Sequence, residues 1–187
     1  MRLTTAARAL TADRGLSGFT VEELCEQVGV SRRTFFNYFP GKEDAIVGHG
    51  DDSLDDDVVA WFVSGGATAG APSATLLDDL VALTAAEIER IAVTPGELAA
   101  FIAAITTEPD ILRRFMDSGA ALDRRLVALV EEREGLTAGD PRAEAAVLTV
   151  GALMRRACER FFAPGNAIPF RELAAGALSA ARDVYRA

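Results

Sequence analysis

The chain has 187 residues and a formal charge of −9; half of it is apolar and one quarter is charged. That is the composition of an ordinary globular protein forming one compact unit or two small ones. Its start carries Arg2, Arg8, Asp13 and Arg14, and its longest charge-free run, Val58 to Leu77, is broken at Ser64-Gly65-Gly66 and Ala71-Pro72, so neither a secretory leader nor a membrane span is expected.

Apolar residues recur at three- and four-residue steps almost throughout and nothing reads as a strand, so the expected fold class is all-α. Helix 1 should run from about Thr4 to Asp13 and end at Gly15. Helix 2 opens at Thr20, whose hydroxyl and Glu23 make a capping box; it turns Val21, Leu24, Cys25 and Val28 inward and stops at Gly29. Helix 3 takes Ser31 as its N-cap and runs to about Phe39, before Pro40-Gly41. Helix 4 starts at Lys42, with Glu43 and Asp44 in the first turn where the helix dipole favours acids, and is expected to continue to Phe62. Further helices are expected over Ser73–Ala92, Glu97–Ile105, from Pro109 onward, over Pro141–Phe162 and over Phe170–Tyr185. Cys25 and Cys158 are the two cysteines. Both lie on apolar helical stripes, which reads as two buried thiols of a cytoplasmic protein rather than a disulfide.

The negative charge is unevenly placed. Residues 1–50 hold six bases and six acids, which leaves all of the −9 to residues 51–187. A partner must therefore be read locally. One stretch stands out: VSRRTFFNYFPGKED, Val30 to Asp44, has four aromatics in five positions and no acid between Glu26 and Glu43. Helix 2, a short turn with glycine and helix 3 form a helix-turn-helix pattern. Val21, Leu24, Val28, Val30 and Phe35 would lock the pair so that helix 3 projects as a stiff rod, and an α-helix fits the DNA major groove. Its outer face would carry Arg32, Arg33, Thr34, Phe36 and Asn37. Arginine can fork onto guanine O6 and N7, and an aromatic ring can meet a thymine methyl. Tyr38, Lys42 and Thr20 are placed to reach phosphates. Phe35 and Phe39 are the internal anchors, and acids are missing because phosphates would repel them.

These residues carry a resemblance. TVEELCEQVGVSRRTFFNYFPGKEDAI resembles the helix-turn-helix of the TetR family of bacterial one-component regulators, matching its pattern at Thr20, Val21, Gly29, Val30, Ser31, Thr34, Phe35, Tyr38, Phe39, Lys42 and Glu43. Cys25 and Val28 replace small packing residues, and Phe36 stands where tyrosine is common, which removes a hydroxyl from the DNA-facing side. The strong part of the match covers about Leu3 to Ile46; beyond it, only the number, length and order of helices agree. Family members often carry a basic arm before helix 1, whereas only Met1 and Arg2 precede it here, so contacts from such an arm are not assumed.

The resemblance implies about nine helices. Residues 1–46 would be an N-terminal three-helix helix-turn-helix DNA-binding domain, and residues 47–187 a C-terminal helical ligand-binding and dimerisation domain. It implies a homodimer formed by the last two helices, for which the apolar stripes Val147, Gly151, Met154, Cys158, Phe161 and Leu173, Ala177, Leu178, Ala181 are the candidates; the alternative is that both stripes face the chain's own core. It also implies an effector cavity, with Trp61, Phe62, Phe101, Phe115, Met116 and Met154 as candidate lining. Individually each of these is better read as ordinary core, but together they suggest an apolar or acyl-type small molecule. Arg113, Arg114, Arg155, Arg156 and Arg160 are preferred as solvated surface over anion contacts.

DDSLDDD, Asp51 to Asp57 beside His49, offers carboxylates at i and i+4 that can hold a divalent cation. With a single histidine in the chain, a charged, solvated face is the preferred reading and no metal site or cofactor is expected. Helix 4 would join cavity to reading head. The function read from all this is a ligand-responsive transcriptional regulator, a repressor, that binds a pseudo-palindromic double-stranded DNA operator as a dimer and is released by a small-molecule effector. The alternative is a small-molecule or partner-sensing module without sequence-specific DNA binding. One histidine, two apolar-face cysteines and no glycine-rich phosphate loop give an enzyme little to work with.

Overall fold

The computed structural model describes residues 2–48, 54–66, 70–91, 101–104 and 106–186. All regular structure among them is helical. The elements are α1 (Arg2–Arg14), a 3-10 turn (Leu16–Gly18), α2 (Val21–Val28), α3 (Arg32–Tyr38), α4 (Lys42–Val47), α5 (Asp56–Ser64), α6 (Leu76–Ile91), α7 (Pro109–Glu134), α8 (Pro141–Phe161) and α9 (Phe170–Arg186). Residues 101–104 and 106–107 are also helical. Among the described residues the all-α class agrees with the periodicity, and the number of helices with the expected total of about nine.

The caps were legible in the sequence. Thr20 accepts from the Glu23 backbone N–H at 3.1 Å, and the Glu23 carboxylate accepts from the Thr20 N–H at 2.7 Å. Gly29, at φ 77°, closes α2 in the left-handed conformation, which a residue without Cβ adopts at least cost. Ser31 then caps α3, accepting from the Thr34 N–H at 3.0 Å.

Helix 4 departs from expectation. It stops at Val47, where Gly48 takes φ 95°, and a new helix begins at Asp56, with Asp55 as an N-cap accepting from the Asp57 and Val58 N–H groups. A continuous rod from Lys42 to Phe62 is therefore corrected to two separate helices, α4 and α5. His49, Asp51 and Asp52 lie outside the described residues, as do residues 97–100 and 105 of the expected Glu97–Ile105 helix.

Contacts group the chain into two compact units, Met1–Ser53 with Val93–Ala121 and Leu54–Ala92 with Leu122–Ala187. The first has a core of Leu3, Ala7 and Leu10 from α1 packed with Leu24, Phe35 and Ile46. Ala104 and Ile111 complete that core, so this unit draws on residues far beyond the contiguous stretch 1–46. Full burial of a side chain like Phe35 stabilises by about 1.5–3 kcal/mol through removal of apolar surface from water, and Phe35 has no exposed area.

The second unit is centred on Phe62, Leu80, Leu83, Val130, Val147, Val150, Met154, Phe170, Leu173 and Leu178. A buried ion pair sits at its edge. Arg133 and Glu134 have fully buried side chains, and Arg133 Nε meets Glu134 Oε1 at 3.0 Å. The remaining Arg133 donors reach the Phe62 and Gly65 carbonyls, the Thr75 hydroxyl and the Asp79 carboxylate, while Glu134 accepts from the Ser73 N–H and hydroxyl. Two charges taken out of water need this full complement of partners to be tolerated. The chain after α5 passes so close that a Cβ on Gly66 would lie 1.8 Å from the Arg133 carbonyl oxygen.

Candidate nucleic-acid interface

The face of α3 is set by its anchors. Phe35, in the middle of the helix, and Phe39, its C-cap, are buried, their ring centroids 5.7 Å apart, and Leu24 and Val28 of α2 lie in the same core. Phe36 and Tyr38 flank that buried face and are 47% and 56% exposed. Arg32, Arg33 and Asn37 are exposed with them. Seven residues therefore expose two guanidinium groups, an amide, a ring and a phenol outside the anchoring face, with no acid of their own.

The other predicted contacts are more engaged. The Thr34 hydroxyl lies 2.8 Å from that of Ser31, within the cap of α3. The Thr20 hydroxyl takes part in the capping box, and the Thr20 N–H, then its hydroxyl, hold the Glu23 carboxyl below the ordinary carboxylate range. Lys42, placed on a phosphate by sequence reasoning, is half-buried. Its ammonium donates to the Leu16 and Phe19 carbonyls at 2.6 and 2.7 Å and stands 4.7 Å from the Phe19 ring centroid. In this structure it ties the α1–α2 turn to the start of α4.

Three supports were not visible in the sequence. Arg8 is buried and donates to the Ile46 and Val47 carbonyls at 2.8 and 2.9 Å, which closes the last turn of α4, and its guanidinium lies 4.6 Å from the Phe101 ring centroid. Arg2 donates to the Val28 carbonyl at the end of α2. Glu108 accepts from the Leu16 N–H at 2.9 Å. Each partner is more than twenty residues away in sequence, so helical periodicity carries no trace of it.

The candidate effector residues do not share one environment. Phe62 and Met154 belong to the core of the second unit. Phe101 and Phe115 meet edge to face, 5.4 Å between centroids, in the first, and Trp61 and Met116 are largely exposed. A cleft of about 450 Å³ is lined instead by Asp78, Val81 and Ala85 of α6 and Arg171, Leu178 and Arg182 of α9. Of the candidate dimer stripes, Val147, Met154, Leu173 and Leu178 are buried in the chain's own core. Cys158, Phe161, Ala177 and Ala181 are half-buried, and Gly151 is exposed. Both cysteines are free, and burial pushes each thiol up from its ordinary value. Among the described residues no cluster of metal-ligating side chains occurs and no helix is long and apolar enough to cross a membrane. Arg113, Arg114, Arg155, Arg156 and Arg160 are all exposed.

A short capped helix pinned by one aromatic face, offering guanidinium groups on the other and preceded by a helix and a glycine turn, defines the helix-turn-helix class of DNA-binding proteins. Residues 3–45 match the family model of the bacterial regulatory proteins, tetR family, which identifies this segment as a TetR-type helix-turn-helix and supports a DNA-binding transcriptional regulator. No curated protein matches it.

Proposed function

We propose that the protein is a ligand-responsive transcriptional repressor that binds a pseudo-palindromic operator as a homodimer and leaves it when a small-molecule effector binds. The observation that carries this reading is the division of α3 into a buried anchoring face and an exposed face bearing Arg32, Arg33, Phe36, Asn37 and Tyr38. On this reading residues 1–46 read the DNA, while residues 47–187 hold the effector and make the dimer. Arg32 and Arg33 contact base edges or phosphates, Thr34 and Asn37 add hydrogen bonds, Phe36 meets a base, and Tyr38, Thr20 and Lys42 lie toward the backbone. One seven-residue helix touches few base pairs. Two copies with reading helices about 34–36 Å apart, one turn of DNA, supply the rest of the affinity.

Because the apolar stripes of α8 and α9 are used internally, the dimer surface is proposed to be the opposite, exposed side. Leu148, Gly151 and Ala152 on α8 and Gly176, Ala180 and Val184 on α9 are exposed there, and small residues let helices approach closely. The effector, of apolar or acyl type, releases the operator only to the extent that it binds the DNA-free form more tightly than the bound form.

The experiment is recovery of genomic fragments on the purified protein, followed by titration of the enriched duplex across a salt series. A shared inverted repeat bound at nanomolar to micromolar protein, with affinity falling steeply as salt rises, is the expected result. Recovery of fragments with no common sequence would favour the sensing-module alternative.

A further inference from the structure

Glu22 is an acid in direct contact with the exposed face of α3. It shares the first turn of α2 with Glu23, but Glu23 closes the capping box while Glu22 reaches Arg32 at 2.5 Å, both side chains being more than half exposed. The Arg32 guanidinium also lies 5.6 Å from the Phe36 ring centroid. Arg32 is thus held by a carboxylate from one helix and a ring from its own, one turn along. Arg33, its neighbour, has no such restraint from any described residue.

We propose that Glu22 is a specificity-determining residue, keeping Arg32 off the phosphate backbone and available to a base edge. This rests on the reading of α3 as the DNA-contacting element. Two modes of binding compete for Arg32. Non-specific binding comes almost wholly from cations meeting phosphates, and an unrestrained arginine beside a duplex serves that mode. Glu22 repels any phosphate brought over Arg32, which penalises those registers. An exposed ion pair is weakly held, so a guanine offering O6 and N7 to both arms of the guanidinium can still draw Arg32 from the carboxylate. The acid therefore lowers affinity in non-specific registers and leaves it nearly unchanged where the right base is present, a repulsive element of the kind that separates correct from incorrect partners.

The test compares wild type with Glu22→Gln on a duplex that the wild type selects from genomic DNA and on a scrambled duplex of equal length and composition, each across a salt series. Glu22→Gln should bind the scrambled duplex about ten-fold more tightly, with a salt slope steeper by about one, as for one added phosphate contact. The selected-to-scrambled affinity ratio should fall by about ten-fold, the scale of one bidentate base contact. In an Arg32→Ala background, Glu22→Gln should leave that ratio unchanged. Equal strengthening on both duplexes would reduce Glu22 to bulk charge and overturn the inference; so would an equal fall in the ratio without Arg32. A wild type that selects no sequence overturns the reading of α3 itself, and this inference with it, whereas a selective wild type with an unaltered ratio in Glu22→Gln overturns this inference alone.

Discussion

Lys42 shows how much one side chain can contribute to holding the reading head together. Its ammonium makes two short, charge-assisted bonds to the Leu16 and Phe19 carbonyls, and such bonds are worth about 1.5–3 kcal/mol each when made in partly buried surroundings. Lys42→Met, which loses both bonds but keeps most of the apolar stem, should lower stability by about 3 kcal/mol or more in urea unfolding and speed hydrogen exchange of the amides in the α1–α2 turn. A lysine that served phosphates alone would weaken DNA binding and leave both readouts where they are. The sequence marked Lys42 as a special position, because it follows Pro40-Gly41 and opens a helix. It could not show which anion-like group the ammonium meets, since carbonyl oxygens 23 and 26 residues back come within reach only after α1, α2 and α4 have packed. Phe35, Phe36, Tyr38 and Phe39 were easier to read: their spacing on a helix separates two inner from two outer rings, and the burial follows it.

Among the elements, α4 and α8 are governed by their ends. Gly48 stops α4 at φ 95°, and a Cβ there would stand 3.0 Å from an Arg8 guanidinium nitrogen and 3.2 Å from the Thr4 methyl. Gly48→Ala combines left-handed strain with crowding of the arginine that closes the helix, so a loss of about 1–2 kcal/mol is expected in thermal or urea unfolding. The stop was present in the sequence as Gly48 and Gly50, but the apolar spacing that resumes at Val58 suggested one long helix; a glycine at a C-cap outweighs that periodicity.

At the start of α8, Asp140 accepts from the Arg142 guanidinium and N–H, and these bonds hold its carboxyl down at about 2. A depressed folded-state value means that this contribution to stability is complete above the ordinary aspartate range and is lost as pH falls from about 4 through about 2. The melting temperature should fall across that window, and by less in Asp140→Asn, which keeps a capping oxygen without the titration. Because the pair is on the surface, the difference should be small and should shrink further in high salt.

For the whole molecule, the sequence conveyed class and order more faithfully than it conveyed facing. Most helix spans, the caps of α2 and α3 and the exposed face of α3 are local properties and were legible, whereas the break after α4 was not. Which side of α8 and α9 is free is not local: alanine and glycine occur on both sides, and the stripe of Val147, Met154, Leu173 and Leu178 is apolar enough to serve either a core or an interface. Its burial within one chain leaves Leu148 and Val184, 60% and 73% exposed, on the other side. If that side makes the proposed dimer, Leu148→Glu with Val184→Glu should yield monomers in sedimentation experiments while retaining helical content, and should weaken operator binding by at least ten-fold through loss of the second reading helix. Persistence of the dimer in the double variant would place the interface elsewhere.

Central to the proposed function is that α3 is the part of the molecule that touches DNA. The most direct measurement is fluorescence-anisotropy titration of a labelled, wild-type-selected duplex with Arg32→Ala/Arg33→Ala protein, alongside its thermal unfolding. Both arginines are exposed and away from the core, so unfolding should be unchanged within about 0.5 kcal/mol, while affinity for the selected duplex should drop by at least a hundred-fold. Wild-type affinity and selectivity in a folded double variant would contradict it.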